Sequence, residues 1–110
     1  MRVFPIDGVA AYYEKIATAS ATGPTSAKIA PTTGNFAGVK ARAALISVET
    51  ADIRFTIDGT TPTTTATTGV GHLLVTGSSW EVLGEANVAN FKAINAVGSS
   101  GAVVHLTYLF

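Results

Sequence analysis

Residues 43–74 read AALISVETADIRFTIDGTTPTTTATTGVGHLL, and their pattern decides the fold class. From Arg42 to Glu49, Ala44, Ile46 and Val48 alternate with Ala43, Leu45 and Ser47. This predicts a strand, and its nearly unbroken apolar character predicts cover on both faces. Ile53 to Ile57 alternates more cleanly, with Ile53, Phe55 and Ile57 inward and Arg54 and Thr56 outward. Asp58-Gly59 then marks a turn: the Asp carboxylate accepts from nearby backbone N–H groups and Gly takes positive φ. Pro62 has no N–H to offer a ladder, so the threonine-rich run after it reads as an extended loop or irregular edge.

Working outward, turn signals recur at short intervals: Asp7-Gly8, Gly23-Pro24, Ala30-Pro31, Gly34-Asn35, Gly77-Ser78 and Gly98 to Gly101. Between them lie further strand-like runs. Val9 to Ala21 sets Tyr13, Lys15 and Ala17 against Tyr12, Glu14 and Ile16, although its alanines also permit a helical start. Ala27 to Ala30 reads as a short strand ended by Pro31. His72 to Val75 and Trp80 to Leu83 read as two strands joined by a tight turn at Gly77-Ser78-Ser79. Phe91 to Ile94 sets Phe91 and Ala93 against Lys92 and Ile94, and Val103 to Leu109 sets Val104, Leu106 and Tyr108 against Val103, His105 and Thr107. The aromatic C-terminal residue, Phe110, predicts an end that is tied down. No helix-period segment of useful length follows Ala30. The expected architecture is all-β: one β-sandwich or jelly roll of about eight short antiparallel strands across residues 1–110, with residues 1–8 as an N-terminal arm.

Composition bounds the function. Charged residues make up 13% of the 110, against about a quarter in an average chain. Small domains have much surface per unit volume, so Thr, Ser, Ala and Gly must cover it here. Seven Lys plus Arg balance seven Asp plus Glu, and copies therefore repel one another weakly. That combination points to a protein working in an assembly, with Phe4, Ile6, Trp80 and Phe110 as candidate interface residues. The charge balance leaves no basic stripe to displace counterions from phosphate, which argues against a nucleic-acid partner. With no cysteine there is neither a disulfide framework nor a thiolate metal site. Met1 to Asp7 lacks the apolar centre of a secretory signal. No apolar run approaches the roughly 18 residues of a membrane helix, so a membrane partner is not expected and synthesis in the cytoplasm is.

Residues of chemical interest each have a structural alternative. Asp52, Asp58 and the threonine hydroxyls fall short of the six or more oxygens calcium takes, and the loop lacks the EF-hand ligand pattern. Glu49, Asp52 and Asp58 are near in sequence, but a glycosidase needs two carboxyl groups flanking a sugar cleft. An ion pair from Arg54 to one of them, worth under about 1 kcal/mol if exposed, is the simpler expectation beside the Asp58-Gly59 turn. His72 and His105 have no Gly-x-Ser-x-Gly partner and read as packed or interface histidines. Gly98-Ser99-Ser100-Gly101 precedes a strand and not a helix, so the logic of a phosphate loop fails. Trp80 reads as a packing residue in the core or at an interface; with Tyr12, Tyr13 or Tyr108 it would instead form a sugar-stacking platform. No enzyme, metal or cofactor is expected.

Ala44-Leu45-Ile46, Glu49-Thr50, Ile53-Arg54-Phe55, Asp58-Gly59-Thr60, Pro62-Thr63, Gly71, Leu74 and Gly77 together resemble a family of small tailed-bacteriophage virion proteins. The strands around Trp80–Val82, Phe91–Ile94 and Val103–Tyr108 extend the resemblance over the C-terminal two thirds. Thr64–Gly69 is longer than the family pattern, and the first forty residues carry no likeness. The resemblance implies a β-sandwich in the virion: a decoration or cement protein on the capsid, binding capsid proteins as a homo-oligomer such as a trimer. A tail, neck or baseplate accessory role is the alternative. It implies no catalytic residue. Residues 53–63 also resemble the strand and turn of the Ig-like domain of chitobiase-type enzymes, which supports the sandwich; a carbohydrate-binding adhesion module is the remaining alternative.

Overall fold

The computed structural model describes residues 8–64 and 69–110; the candidate interface residues Phe4 and Ile6, and most of the expected arm, lie outside the described residues. Seven strands form: β1 (Ala10–Ala17), β2 (Ala43–Glu49), β3 (Ile53–Thr56), β4 (His72–Leu74), β5 (Ser79–Leu83), β6 (Lys92–Asn95) and β7 (Val103–Leu109). Two short helices, α1 (Ser26–Ile29) and α2 (Glu85–Asn90), join them. The strands make two antiparallel sheets, ordered β1-β7-β2-β5 and β4-β3-β6. The fold is an all-β sandwich.

Period-2 patterning builds the core. Ile16, Ala44, Ile46, Val48, Val82, Val104, Leu106 and Tyr108 line the inner face of the four-stranded sheet; Ile53, Phe55, Leu74 and Ala93 answer them from the three-stranded sheet. Each large side chain fully removed from water contributes roughly 1.5–3 kcal/mol. Phe110 is tied down as expected: it exchanges two 2.9 Å backbone hydrogen bonds with Val9.

Four expectations are corrected. Ala27–Ala30 is not a strand: Ala27 to Ile29 lie in helix α1, and Ala30 caps it, its N–H donating to Ser26 O at 2.9 Å. Four residues are too few for either period to declare itself, and Pro31 ends a helix as readily as a strand. The described residues therefore hold seven strands. β4 and β5 are not a hairpin: β4 pairs with β3 and β5 with β2, so the turn at Gly77–Ser79 carries the chain from one sheet to the other. A turn signal reports reversal of the backbone, not which strands pair. β2 is covered on both faces only at its start, where Ala43 is buried; beyond it the outer face opens, and Leu45 is 43% exposed. Finally, a helical turn does follow Ala30, at α2, where Val88 is its single buried residue.

The corner from β2 into β3 has no glycine. Thr50 takes φ +78°, the one described non-glycine residue with positive φ, and Ala51 N–H donates to Glu49 O at 2.9 Å. A bond between residues two apart across a positive-φ centre is a γ-turn of the uncommon, strained kind. A β-branched residue there clashes with its own backbone. Replacing Thr50 with glycine is expected to stabilise the fold by about 1 kcal/mol, seen as a higher urea midpoint at unchanged slope; a lower midpoint would disprove the strain.

The two long sides of the sandwich differ. On the β1/β6 side, Thr22 exchanges two 2.9 Å backbone hydrogen bonds with Ala93, and Asn95 N–H donates to Thr18 O at 2.8 Å. The buried Thr18 hydroxyl donates to Asn95 Oδ1 at 2.8 Å. On the β4/β5 side the Trp80 ring lies over Phe55, with centroids 6.3 Å apart, and a cleft remains.

Candidate functional site

Strand register assigns the outer face of the four-stranded sheet to rows. One row runs Tyr13–Thr107–Leu45–Glu81, and the next runs Lys15–His105–Ser47–Ser79. Tyr13, Leu45 and Leu83 are all exposed on this face. The face thus sets Tyr13, Leu45 and Leu83 among the charged side chains Lys15, Glu49 and Glu81 and the His105 ring.

A polar chain crosses it. The Tyr13 hydroxyl lies 2.5 Å from His105 Nδ1, and the two rings stack with centroids 5.9 Å apart. His105 Nε2 lies 2.9 Å from Glu49 Oε1 but off the hydrogen-bonding line. Cross-strand pairs of this kind contribute roughly 0.2–1 kcal/mol each. The chain joins β1, β7 and β2 and stiffens the face. His105, read from sequence as a packed or interface histidine, is placed on the outer face between Tyr13 and Glu49.

The second feature is the cleft of about 340 Å³ between β4 and β5, lined by Phe55, Ile57, His72, Leu73, Leu74 and Trp80. His72 packs on Phe55 with centroids 5.6 Å apart. Trp80 is half exposed, while Phe55 is buried beneath it. The aromatic platform of Trp80 with a tyrosine is not assembled. Tyr12 packs edge-on against Phe110, Tyr13 stacks on His105, and Tyr108 is buried. A larger hollow, about 540 Å³, lies between α1 and α2, is lined by four alanines with Lys40, Glu85 and Asn87 among others, and shares no lining residue with the cleft.

The remaining expected residues fall as follows. Phe110 is buried in this chain's own core against Tyr12 and Phe36, which corrects its assignment to an interface. At the turn, Thr60 N–H donates to Asp58 Oδ1 at 3.0 Å and Gly59 has φ +90°. The Thr60 N–H, and then its side chain, hold the exposed Asp58 carboxyl below the usual aspartate range. Among the described residues Arg54 does not pair with a carboxylate. Its Nη1 donates to Gly71 O at 2.9 Å, while Glu49 meets His105 and Asp52 Oδ1 accepts from Thr76 N–H at 2.8 Å. Gly71, at φ +117°, lets the loop lie so close that a Cβ would sit 3.0 Å from Phe55 O. Among the described residues no group of three or more His, Asp or Glu is placed to hold a metal ion.

One network escaped the sequence reading. Glu14, from β1, is 8% exposed. It accepts from the Tyr108 hydroxyl at 2.5 Å, Thr25 N–H at 2.9 Å and the Thr25 hydroxyl at 2.7 Å. Burial alone would raise its pKa; these hydrogen bonds and the Lys28 charge outweigh that and lower it. Burial, and then Glu14, push the Tyr108 phenol well above its ordinary range. A charged residue on the core side of a strand was the available signal, but its partners are up to 94 residues away in sequence.

No protein-family profile, curated protein or solved structure matches this chain.

Proposed function

We propose that the protein is a structural component of a bacteriophage virion that decorates the outside of the capsid and stabilises it. The observation that carries the reading is the outer face of the four-stranded sheet, where Tyr13, Leu45 and Leu83 stand exposed between Lys15, Glu49 and Glu81. A rigid sheet presenting an aromatic and aliphatic centre within a polar surround is the composition of a protein-docking patch. The motif residues from Ala44 to Gly77 and the neutral net charge support a role among packed copies. Its action is mechanical: each copy bridges neighbouring capsid subunits, and a standard interface buries about 1,600 Å² in total. Repeated over a shell, that raises the work needed to separate subunits.

Co-sedimentation with purified particles tests the proposal, and electron microscopy of decorated particles distinguishes the capsid from a tail or neck position. Leu45→Glu is expected to weaken particle binding about tenfold or more with the far-ultraviolet circular dichroism unchanged, because Leu45 touches solvent and not the core. Wild-type protein that stays in the supernatant, or a variant that binds as well as wild type, would count against this face.

A further inference from the structure

The four edge strands of the sandwich are not equally protected. β6 is covered by Thr22 and Thr18. β1 has a register shift between Ala10 and Tyr12, carries Lys15 and has its Tyr13 carbonyl capped by Lys28 Nζ at 3.1 Å. β4 is three residues long. β5, Ser79-Trp80-Glu81-Val82-Leu83, has neither lysine nor proline, and its one bulge, where Gly77 and Ser78 both oppose Val48, lies before it and leaves these five residues in regular register. Lysine, proline and bulges within the strand are among the usual guards of an open edge.

Hydrogen-bond parity shows which groups of β5 face outward. Val48 N–H donates to Ser78 O and Gly84 N–H to Arg42 O. In an antiparallel ladder the bonding pairs alternate, so Ser78, Trp80, Val82 and Gly84 turn their backbone groups to β2, and Ser79, Glu81 and Leu83 turn theirs away. The Leu83 carbonyl is taken by Asn87 Nδ2 at 2.8 Å. Among the described residues nothing reaches the Ser79 and Glu81 N–H and C=O groups. Gly77, at φ +84°, ends the extended run on the other side.

We infer that this edge pairs with a second copy of the chain, β5 to β5 antiparallel about a two-fold axis at Trp80. The register follows from self-complementarity. An axis at Glu81 would set the two Glu81 carboxylates directly opposite each other and would call on the Leu83 carbonyl already held by Asn87. An axis at Trp80 pairs Ser79 with Glu81 of the partner subunit, twice, and forms four backbone hydrogen bonds. It brings the two half-exposed Trp80 rings together at a non-hydrogen-bonded position, where cross-strand side chains approach most closely. It also sets a serine hydroxyl on the same face as Glu81, whose Oε2 is shielded from solvent and has no donor among the described residues. Zero net charge leaves little long-range repulsion to oppose the contact. The result is one continuous eight-stranded sheet whose outer face doubles the proposed docking surface, and a dimer in place of the trimer that the virion resemblance implies.

The pairing stands on strand geometry and is tested without particles. Sedimentation of the wild type is expected to give twice the 11.2 kDa chain mass, and Glu81→Pro to give the monomer. Proline at that position removes an N–H that points away from β2 and so leaves the internal ladder intact. Because the chain has no cysteine, Trp80→Cys reports the axis directly: mild oxidation should give a reducible dimer, while Leu73→Cys, equally exposed on neighbouring β4, should stay uncrosslinked. A monomeric or trimeric wild type, a folded Glu81→Pro dimer, or crosslinking at both cysteines or at neither overturns the pairing. Loss of particle binding by an intact dimer would instead overturn the virion reading alone.

Discussion

Glu14→Ala is expected to destabilise the protein by about 3 kcal/mol, measured by urea unfolding. The carboxylate gathers three donors, and alanine would leave the Tyr108 hydroxyl, which has no solvent access, and the Thr25 N–H without an acceptor. The orphaned buried Tyr108 hydroxyl costs roughly 1–3 kcal/mol, and the loss of the part-buried Thr25 bonds adds to it. Tyr108→Phe removes one bond to a charged acceptor and should cost about 1.5–3 kcal/mol. Because the two groups share that bond, the double variant should lose less than the sum of the singles. Strict additivity, or a loss under about 1 kcal/mol for Glu14→Ala, would show that the network does not hold the α1 segment to the sheet.

The same network sets a pH window. Glu14 has its folded pKa below the ordinary 4.5, so its contribution is fully present above 4.5 and is lost as pH falls through the folded value. Tyr108 has its folded pKa raised above the ordinary 10.0, so its contribution is fully present below 10.0 and is lost as pH rises through the folded value. Stability should be flat with respect to these two groups between those limits. In Glu14→Gln the acid-side loss should shrink; an unchanged acid limb would assign it to other carboxylates.

Phe91→Ala is expected to cost about 3–5 kcal/mol, as for a large aromatic removed from a core that cannot collapse onto the gap. Phe91 is 2% exposed, packs on Phe55 with centroids 5.9 Å apart, and joins α2 to β6. Its surroundings are rigid: a Cβ on Gly23 would lie 2.5 Å from the Phe91 carbonyl, so the crossing segment already touches its backbone. Trp80 is the useful contrast. It is the larger side chain, but half of it already meets water, so Trp80→Ala should cost well under half as much in the monomer. Equal losses at the two positions would mean that Trp80 supports the core more than its exposure indicates.

Much of the fold was legible because it depends on a two-residue period. In β3 and β7 every second residue is apolar, and the burial of Ile53 and Phe55, and of Val104, Leu106 and Tyr108, follows directly. Misreadings arose where neighbours, and not periods, decide. Thr56 lies on the outward side of β3 and yet is buried, because its hydroxyl turns to donate to Thr60 O. The outward setting of Leu45 depends on what covers β2, and nothing within residues 43–49 states that.

By itself the sequence determined the sheet class, the strand faces, the Asp58-Gly59 turn and the quiet electrostatics of the surface, since each follows from residue type and spacing within a few positions. Only the tertiary structure decided that β4 and β5 belong to different sheets, that Glu14 meets Tyr108 and Thr25, that Arg54 serves the Gly71 carbonyl, and that β5 ends as the unguarded edge. Those facts are set by which distant segments pair. Pairing is chosen by the summed burial of the whole chain, which no local stretch records.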